Sequence, residues 1–184
     1  FIVADGMGWH KNGEIASGVA ARVVAKNIVT KVYSRLLSIH NEPNDESIQE
    51  TIENSINEAQ KSVVRYAAGG GTTFTCVLIL GEQVTIGHVG DSRVYLVRSG
   101  KLVQLTLDHS YVEEQVRMGM MTHEEADKSP MKHILTRALW PDAEVEVDIY
   151  EHEIARDDVL IACTDGLNKM VTDEQILATV LEMK

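Results

Sequence analysis

Two apolar runs that end in Asp-Gly lie far apart in this chain of 184 residues. The first, Phe1–Ala4, leads into Asp5-Gly6, and the second, Val159–Thr164, leads into Asp165-Gly166. Short apolar runs bounded by turn residues are typical of strands that are covered on both faces. Each run therefore predicts a buried strand with an aspartate at its end.

Two longer segments between these runs have apolar residues at helical spacing. They predict helices over about Gly13–Ser38 and Glu46–Ala67, with a break at Asn41–Asp45. The triplet Gly69–Gly71 follows the second helix. Because neither a lysine nor a helix comes next, a phosphate-binding P-loop is excluded, and the triplet predicts a flexible hinge.

A series of short strands is predicted from Thr72 onward, at Thr72–Leu80, Gln83–Val89, Arg93–Arg98 and Leu102–Leu105. The turns between them have two or three residues, and connections this short predict antiparallel hairpins. The remaining predicted elements are helices at Asp108–Met118 and Thr122–Lys128, strands at Val145–Ile154 and Asp158–Thr164, and a closing helix from about Thr172. This order predicts an α+β layered domain.

Composition narrows the class of protein. The chain is 44% hydrophobic and 24% charged, which is ordinary for a globular domain. Its net charge of -11 argues against a nucleic-acid partner, which needs a basic face. The sequence predicts neither a membrane span nor a signal peptide.

Cys76 and Cys163 are predicted to be buried free thiols, as in a reducing compartment. Because the chain begins inside a strand, it is interpreted as a piece of a longer protein.

The aspartates at the two strand ends are candidate metal ligands. If the strand ends lie side by side, the carboxylates of Asp5 and Asp165, with the backbone carbonyl of Gly6, suit a hard divalent cation. The alternative is that each Asp-Gly simply forms a turn. No basic residue near Asp165 in the sequence is expected to pair with it.

Six segments, in order, resemble the motifs of bacterial metal-dependent serine/threonine phosphatases of type 2C. They are Val3–Gly8 with Gly13-Glu14 and Ala16-Ser17, Gly71–Thr73, Val89–Arg93, Asp108–Gly119, Ile134–Leu139 and Thr164–Leu167. The resemblance implies a four-layer α-β-β-α fold, in which two antiparallel sheets form a sandwich flanked by helix pairs. It also implies a single phosphatase-like domain over 1–184, a flap segment at about 108–137, and family strands that lie outside these residues.

The resemblance also implies a site for two to three Mn2+ or Mg2+ ions. Asp5 would bridge two ions, the Gly6 carbonyl would bind one of them, and Asp165 would hold the other. Asp91 with Asp165 would form a third position, although Gly90-Asp91-Ser92 also suits a hairpin turn. Asp5 and Asp165 are thus the implied catalytic residues. The implied reaction is hydrolysis of phosphoserine or phosphothreonine in a phosphoprotein by a metal-activated water, in cytoplasmic signalling. The alternative is a catalytically degenerate module that regulates or binds partners.

Other polar residues are assigned structural roles. His88 is expected to pack in its strand, and Thr72 and Thr73 to belong to theirs. Arg93, beside Asp91, could touch phosphate, but a structural ion pair is the favoured interpretation. His10 could act as a general acid but is assigned no firm role. The other histidines show no ligand spacing and are expected to have surface or capping roles: His40, His109, His123, His133 and His152.

Two tryptophans stand where the family commonly has glycine. Trp9 is predicted either to lie at the mouth of the metal site and control access to it or to pack under the first helix. Trp140 would narrow the pocket, offer a platform to a peptide, or block it. The flap is predicted to be mobile and to border the metal site. Strand edges left open by the missing strands would allow self-association.

Overall fold

The computed structural model describes residues 1–7, 12–37, 46–141 and 145–183. Its strands are β1 (Ile2–Val3), β2 (Gly6–Met7), β3 (Gly71–Thr72), β4 (Phe74–Leu80), β5 (Gln83–Val89), β6 (Arg93–Arg98), β7 (Lys101–Gln104), β8 (Asp148–Glu153) and β9 (Val159–Cys163). Its helices are α1 (Asn12–Ile28), α2 (Ser34–Leu36), α3 (Ile48–Tyr66), α4 (Tyr111–Arg117), α5 (His123–Lys128), α6 (Asp165–Asn168) and α7 (Asp173–Glu182), and a π-helical turn, Val29–Tyr33, joins α1 to α2. The predicted order of elements is confirmed, with β2 and α6 in addition, but β1 and most of β9, which the sequence predicted to be buried, are only half-buried. The predicted break at 41–45 lies outside the described residues.

All strand pairs are antiparallel, as predicted. One sheet has the order β1-β4-β5-β8, another has the order β7-β6-β9, and β2 and β3 form a short ribbon. The turns Gly81-Glu82 and Ser99-Gly100 close the hairpins β4–β5 and β6–β7. The α+β fold with antiparallel sheets is therefore confirmed.

The turn Gly90–Ser92 does not close a hairpin, contrary to the sequence prediction. It carries the chain from β5 in the first sheet to β6 in the second. Gly90 has a φ of 116°, and a Cβ atom there would meet the Thr73 side chain at 2.6 Å. The need for a positive φ and for close packing explains why glycine occupies this position.

Side chains of β4 alternate between two apolar layers. Phe74, Cys76 and Leu78 belong to a core cluster with residues of α1 and α3, and Val77 belongs to a second cluster with β5 and β6. The period of two is the strand signal in the sequence, and burial on both faces explains why the run is apolar throughout. Burying each large apolar side chain contributes about 1.5–3 kcal/mol.

Polar caps fix where several helices begin. Ser47 and Glu50 form a capping box at the start of α3, Thr122 and Glu125 form one at α5, and Thr172 with Gln175 forms one at α7. In each box two otherwise unpaired backbone N–H groups gain partners. Residues close in sequence therefore determine these helix starts.

The glycine triplet 69–71 is not the predicted hinge. Gly71 begins β3 and pairs with Met7, and the ring of Trp140 packs against it so closely that a Cβ atom would lie 2.0 Å from the ring. Gly70 likewise lies against the backbone of Asn12. The triplet lets the β2–β3 ribbon, α1 and Trp140 pack closely.

Cys76 and Cys163 are buried free thiols, as predicted. Burial raises the pKa of Cys76 to about 11. Among the described helices, none has both the length and the apolar character needed to cross a membrane.

Candidate metal centre

The three predicted aspartates lie around one cavity of about 220 Å³. They come from separate parts of the fold: Asp5 follows β1, Asp91 lies between β5 and β6, and Asp165 begins α6 after β9. The residues that line the cavity are Asp5, Met7, Thr73, Asp91, His133, Leu135, Asp165 and Lys169. Gly6 adjoins Asp5 but is not among these lining residues.

Two threonines hold the backbone of Asp5. The Thr73 hydroxyl accepts a hydrogen bond from the Asp5 N–H at 3.0 Å, and the Thr72 hydroxyl donates to the Asp5 carbonyl at 3.0 Å. The backbone N–H of Thr73 donates to the same carbonyl at 2.9 Å. The Thr73 hydroxyl also pairs with Ser92 at 2.9 Å, next to Asp91. Sequence reasoning assigned both threonines only to their strand and missed this positioning role.

Neither Asp-Gly forms the simple turn that was the alternative interpretation. Gly6 lies in β2, paired with Thr72, and has no positive φ. A Cβ atom on Gly6 would lie 2.2 Å from the Gly13 carbonyl oxygen, so glycine here permits the close approach of α1. Asp165 opens the short helix α6, and Gly166 lies within that helix.

Lys169 pairs with Asp165, contrary to the expectation that no basic residue near it in sequence would do so. Its ammonium group contacts Asp165 Oδ2 and lies 3.4 Å from Asp91 Oδ2. The spacing of four residues suits a helical ion pair. This signal was present in the sequence, but it becomes visible only once Asp165 is placed at the start of a helix.

The aspartates perturb one another. Burial, followed by the charge of Asp165, raises the pKa of Asp5, and burial also raises the pKa of Asp91. Although burial acts in the opposite direction, the hydrogen bond from Lys169 lowers the pKa of Asp165. Among the described residues that line it, the cavity thus has three carboxyl groups and one ammonium group.

Hard divalent cations fit this set of donors. Carboxylate oxygens are preferred ligands of Mg2+ and Mn2+. In the present arrangement of residues 1–7, 12–37, 46–141 and 145–183, no three His, Cys, Asp or Glu side chains form a ready metal cage. Lys169 instead contacts two of the three carboxylates. The chemistry of the donors therefore fits a metal.

A buried polar network lies behind Asp91. His109 is buried, and its Nε2 lies 3.0 Å from Asp148 Oδ2. Arg137 and Tyr150 also donate to the Asp148 carboxylate, at 2.9 and 3.0 Å. The prediction that His109 has a surface or capping role is therefore wrong. A buried histidine is recognisable only when its distant partners are known.

His88 is packed in its strand, as predicted. Its Nδ1 lies 2.9 Å from the Thr75 hydroxyl and its Nε2 lies 3.0 Å from the Leu107 carbonyl oxygen. Burial, followed by the charge of His109, lowers the pKa of His88 to about 4. His88 is therefore neutral at physiological pH.

Arg93 forms the predicted structural ion pair. Its Nε lies 2.9 Å from Asp108 Oδ1, and its Nη2 lies 2.7 Å from Asp108 Oδ2. Burial opposes the charge on Arg93, but the hydrogen bonds to Asp108 raise its pKa above the ordinary value. This bidentate pair ties the start of segment 108–137 to β6.

Segment 108–137 reaches the aspartate cavity through His133 and Leu135. This segment therefore borders the aspartate cavity, and His133, exposed at the surface as expected, lies at the same cavity. A second cavity of about 320 Å³ shares Met7 and Leu135 with the first and is also lined by Trp140. Trp140 is 39% exposed. Trp9, His10 and His40 lie outside the described residues.

Comparison with known proteins adds independent information. The family model described as Protein phosphatase 2C matches residues 1–183. The serine/threonine phosphatase Stp of Listeria welshimeri is 39% identical over 181 residues, which cover 95% of this chain and 69% of the Listeria protein.

Solved structures of serine/threonine phosphatases resemble this chain in fold. The serine/threonine phosphatase PstP/Ppp of Mycobacterium tuberculosis has a TM-score of 0.81 at 31% identity, covering 97% of this chain and 73% of that one. The catalytic domain of PstP in complex with two manganese ions has a TM-score of 0.78 at 31% identity, covering 98% of this chain and 73% of that one. The match of the family model to almost the whole chain, together with these relatives, shows that this chain belongs to the protein phosphatase 2C family.

Proposed function

We propose that this chain hydrolyses phosphoserine and phosphothreonine in proteins, with Mn2+ or Mg2+ as cofactor. The observation that carries the proposal is the convergence of Asp5, Asp91 and Asp165 on one cavity. Family membership supports it, and the PstP catalytic domain in complex with two manganese ions supports the choice of metal.

The ligands we assign are the carboxylates of Asp5, Asp91 and Asp165 and the carbonyl of Gly6. Divalent ions at such a site supply an activated water nucleophile and neutralise the charge of the phosphoryl group. The chain itself contributes fixed geometry. Thr72 and Thr73 hold the backbone of Asp5 through hydrogen bonds to its N–H and its carbonyl. The point from which the Asp5 carboxylate extends is therefore fixed before any ligand arrives.

The substrate is a phosphoprotein, and the second cavity offers room for its chain. This cavity adjoins the aspartates through Met7 and Leu135, and the half-exposed ring of Trp140 forms part of its wall. A polypeptide on either side of the phosphorylated residue would find an apolar surface there. We therefore favour the interpretation of Trp140 as a platform over that of a block.

Phosphate release from a phosphothreonine peptide, with and without Mn2+, tests the proposal. We expect Asp5→Asn to lower turnover by more than the 10–100-fold that loss of an outer metal partner costs. Asp127→Asn, a matched change at an exposed residue of α5, should keep full turnover. Mn2+ binding without phosphate release in the wild type would support the degenerate regulatory module instead.

Self-association and a cytoplasmic location are part of the proposal. Within the described sheets, β1 pairs only with β4 and β9 pairs only with β6, so each leaves one edge open to another strand. Light scattering over a range of concentrations would detect the dimer that such pairing predicts. The buried free thiols Cys76 and Cys163 support a reducing compartment.

We also propose that 1–184 forms a single phosphatase-like domain whose flap spans about 108–137. The network of His109 with Asp148 supports this, since it joins the flap to β8. Limited proteolysis should cut first within the flap and leave two resistant fragments that remain associated.

A further inference from the structure

Lys169 lies directly after α6 and faces the aspartate cavity. Its backbone N–H donates to the Asp165 carbonyl at 3.0 Å, which fixes the start of the side chain. Its ammonium group contacts Asp165 Oδ2 and lies 3.4 Å from Asp91 Oδ2. Its side chain is 27% exposed. Among the described lysines and arginines, no other lies within salt-bridge distance of either aspartate.

The position of this ammonium group matters because it is the position that a cation between Asp91 and Asp165 would take. An ammonium group and a divalent ion cannot both occupy the space between the same carboxylate oxygens. The lysine is also covalently tethered four residues from Asp165, so its local concentration is high and does not depend on dilution. A metal ion entering between these two aspartates must therefore displace it.

We propose that Lys169 is a built-in competitor for the metal position between Asp91 and Asp165. Without metal, its ammonium group relieves the repulsion between the carboxylates and stabilises the empty centre. When metal enters at this position, the side chain swings out to solvent. Lys169 thereby weakens metal binding most strongly at the position between Asp91 and Asp165. This inference rests on the proposed metal site.

Amine labelling followed by mass spectrometry tests the displacement directly on the wild-type chain. We expect labelling of Lys169 by an acylating reagent to be slow in EDTA and to rise several-fold with saturating Mn2+. Lys128, which pairs with Glu124 at the same spacing but far from the cavity in the exposed helix α5, is the internal control and should not change. Mn2+ binding with no change at Lys169 would overturn the inference and leave the proposed function standing.

Calorimetric titration of Mn2+ into variants provides the second arm. Lys169→Gln should tighten the weaker Mn2+ site by about tenfold, the effect of removing two partly buried ion pairs. Lys169→Arg retains the cation and should behave as the wild type. Lys128→Gln makes the same change in net charge, so it controls for long-range electrostatics. Equal affinity in Lys169→Gln and the wild type would overturn the competition, whereas no Mn2+ binding in any variant would overturn the proposed function and the competition together.

Discussion

His109 holds Gly90 through two hydrogen bonds. The backbone N–H of Gly90 donates to Nδ1 of the His109 ring at 3.1 Å, and the backbone N–H of His109 donates to the Gly90 carbonyl at 2.8 Å. Gly90 directly precedes Asp91, so this pairing joins the first residues of the flap to the loop that carries a proposed metal ligand. His109 is in turn oriented by Asp148, 3.0 Å from its Nε2.

Two variants distinguish the contact of His109 with Gly90 from its contact with Asp148. His109→Asn keeps an acceptor near the Nδ1 position and should retain Mn2+ affinity, while losing about 1–3 kcal/mol of stability because Asp148 loses a partner. His109→Gln reaches toward Asp148 but releases the Gly90 N–H, so we expect weaker Mn2+ binding. Calorimetry and urea unfolding measure the two effects. Equal Mn2+ affinity in both variants would show that His109 is purely structural.

The buried His88 makes stability depend on pH. Its pKa is lowered to about 4 in the folded chain from an ordinary value of 6.5, first by burial and then by the charge of His109. Between these values the unfolded chain binds more protons, so stability should fall as pH drops from 6.5 toward 4, by an amount on the order of 3 kcal/mol. Urea unfolding across this range measures the slope.

The slope should flatten in His88→Gln, which cannot titrate. His123→Gln, the same change at an exposed position of α5, is the control and should keep the wild-type slope. An unchanged slope in His88→Gln would assign the pH dependence to other groups.

The ion pair of Arg93 with Asp108 should contribute more to the free energy of unfolding than the pair of Arg98 with Asp158. The side chains of Arg93 and Asp108 are 25% and 11% exposed, whereas those of Arg98 and Asp158, which form a pair of the same bidentate geometry, are 46% and 6% exposed, so the two pairs differ in the exposure of the arginine. Arg93→Lys keeps the charge but loses the paired hydrogen bonds, and we expect a loss of about 2 kcal/mol in unfolding free energy. Arg98→Lys should cost less, because solvent screens the charge of this more exposed arginine. Similar losses in the two variants would contradict this ranking.

Removing the Asp165 carboxylate should weaken metal binding without unfolding the chain. Asp165→Asn leaves Lys169 with Asp91 as a partner, 3.4 Å away, so the lysine is not left without an ion pair. We expect a circular dichroism spectrum like that of the wild type and a smaller rise in melting temperature on adding Mn2+, because a ligand stabilises a protein in proportion to the logarithm of its affinity. EDTA should abolish the rise in the wild type. The same rise in both proteins would exclude Asp165 as a ligand.

Hydrogen exchange should be faster in the flap than in the central strands. The flap carries the exposed side chains of Met118 and Met120, which have few packing partners, whereas most residues of β4 and β5 are buried. Amides in segments with few buried contacts open more readily. Mass spectrometry of deuterium uptake at 111–128 and 74–89 measures the difference. Equal uptake would contradict a mobile flap.

Elements of secondary structure were largely determined by the sequence itself. The bounds of β5 and β6 agree with the predicted ones. Thr122 and Thr172 are the N-caps of α5 and α7, and each side chain accepts a hydrogen bond from the backbone N–H three residues further on. These signals are local: apolar periodicity decides which face is buried, and a capping side chain bonds backbone within its own turn. The strand-end aspartates were recognisable for the same reason.

Only the tertiary structure decided what surrounds those aspartates. The course of Gly90–Ser92 between two sheets, the bonds of Thr73 to Asp5 and the burial of His109 against Asp148 all join residues far apart in the chain. Lys169 is close to Asp165 in sequence, yet its second partner, Asp91, is 78 residues away. Such contacts depend on how the sheets and loops meet, because hydrogen bonds and ion pairs act over a few ångströms in space whatever the separation along the chain.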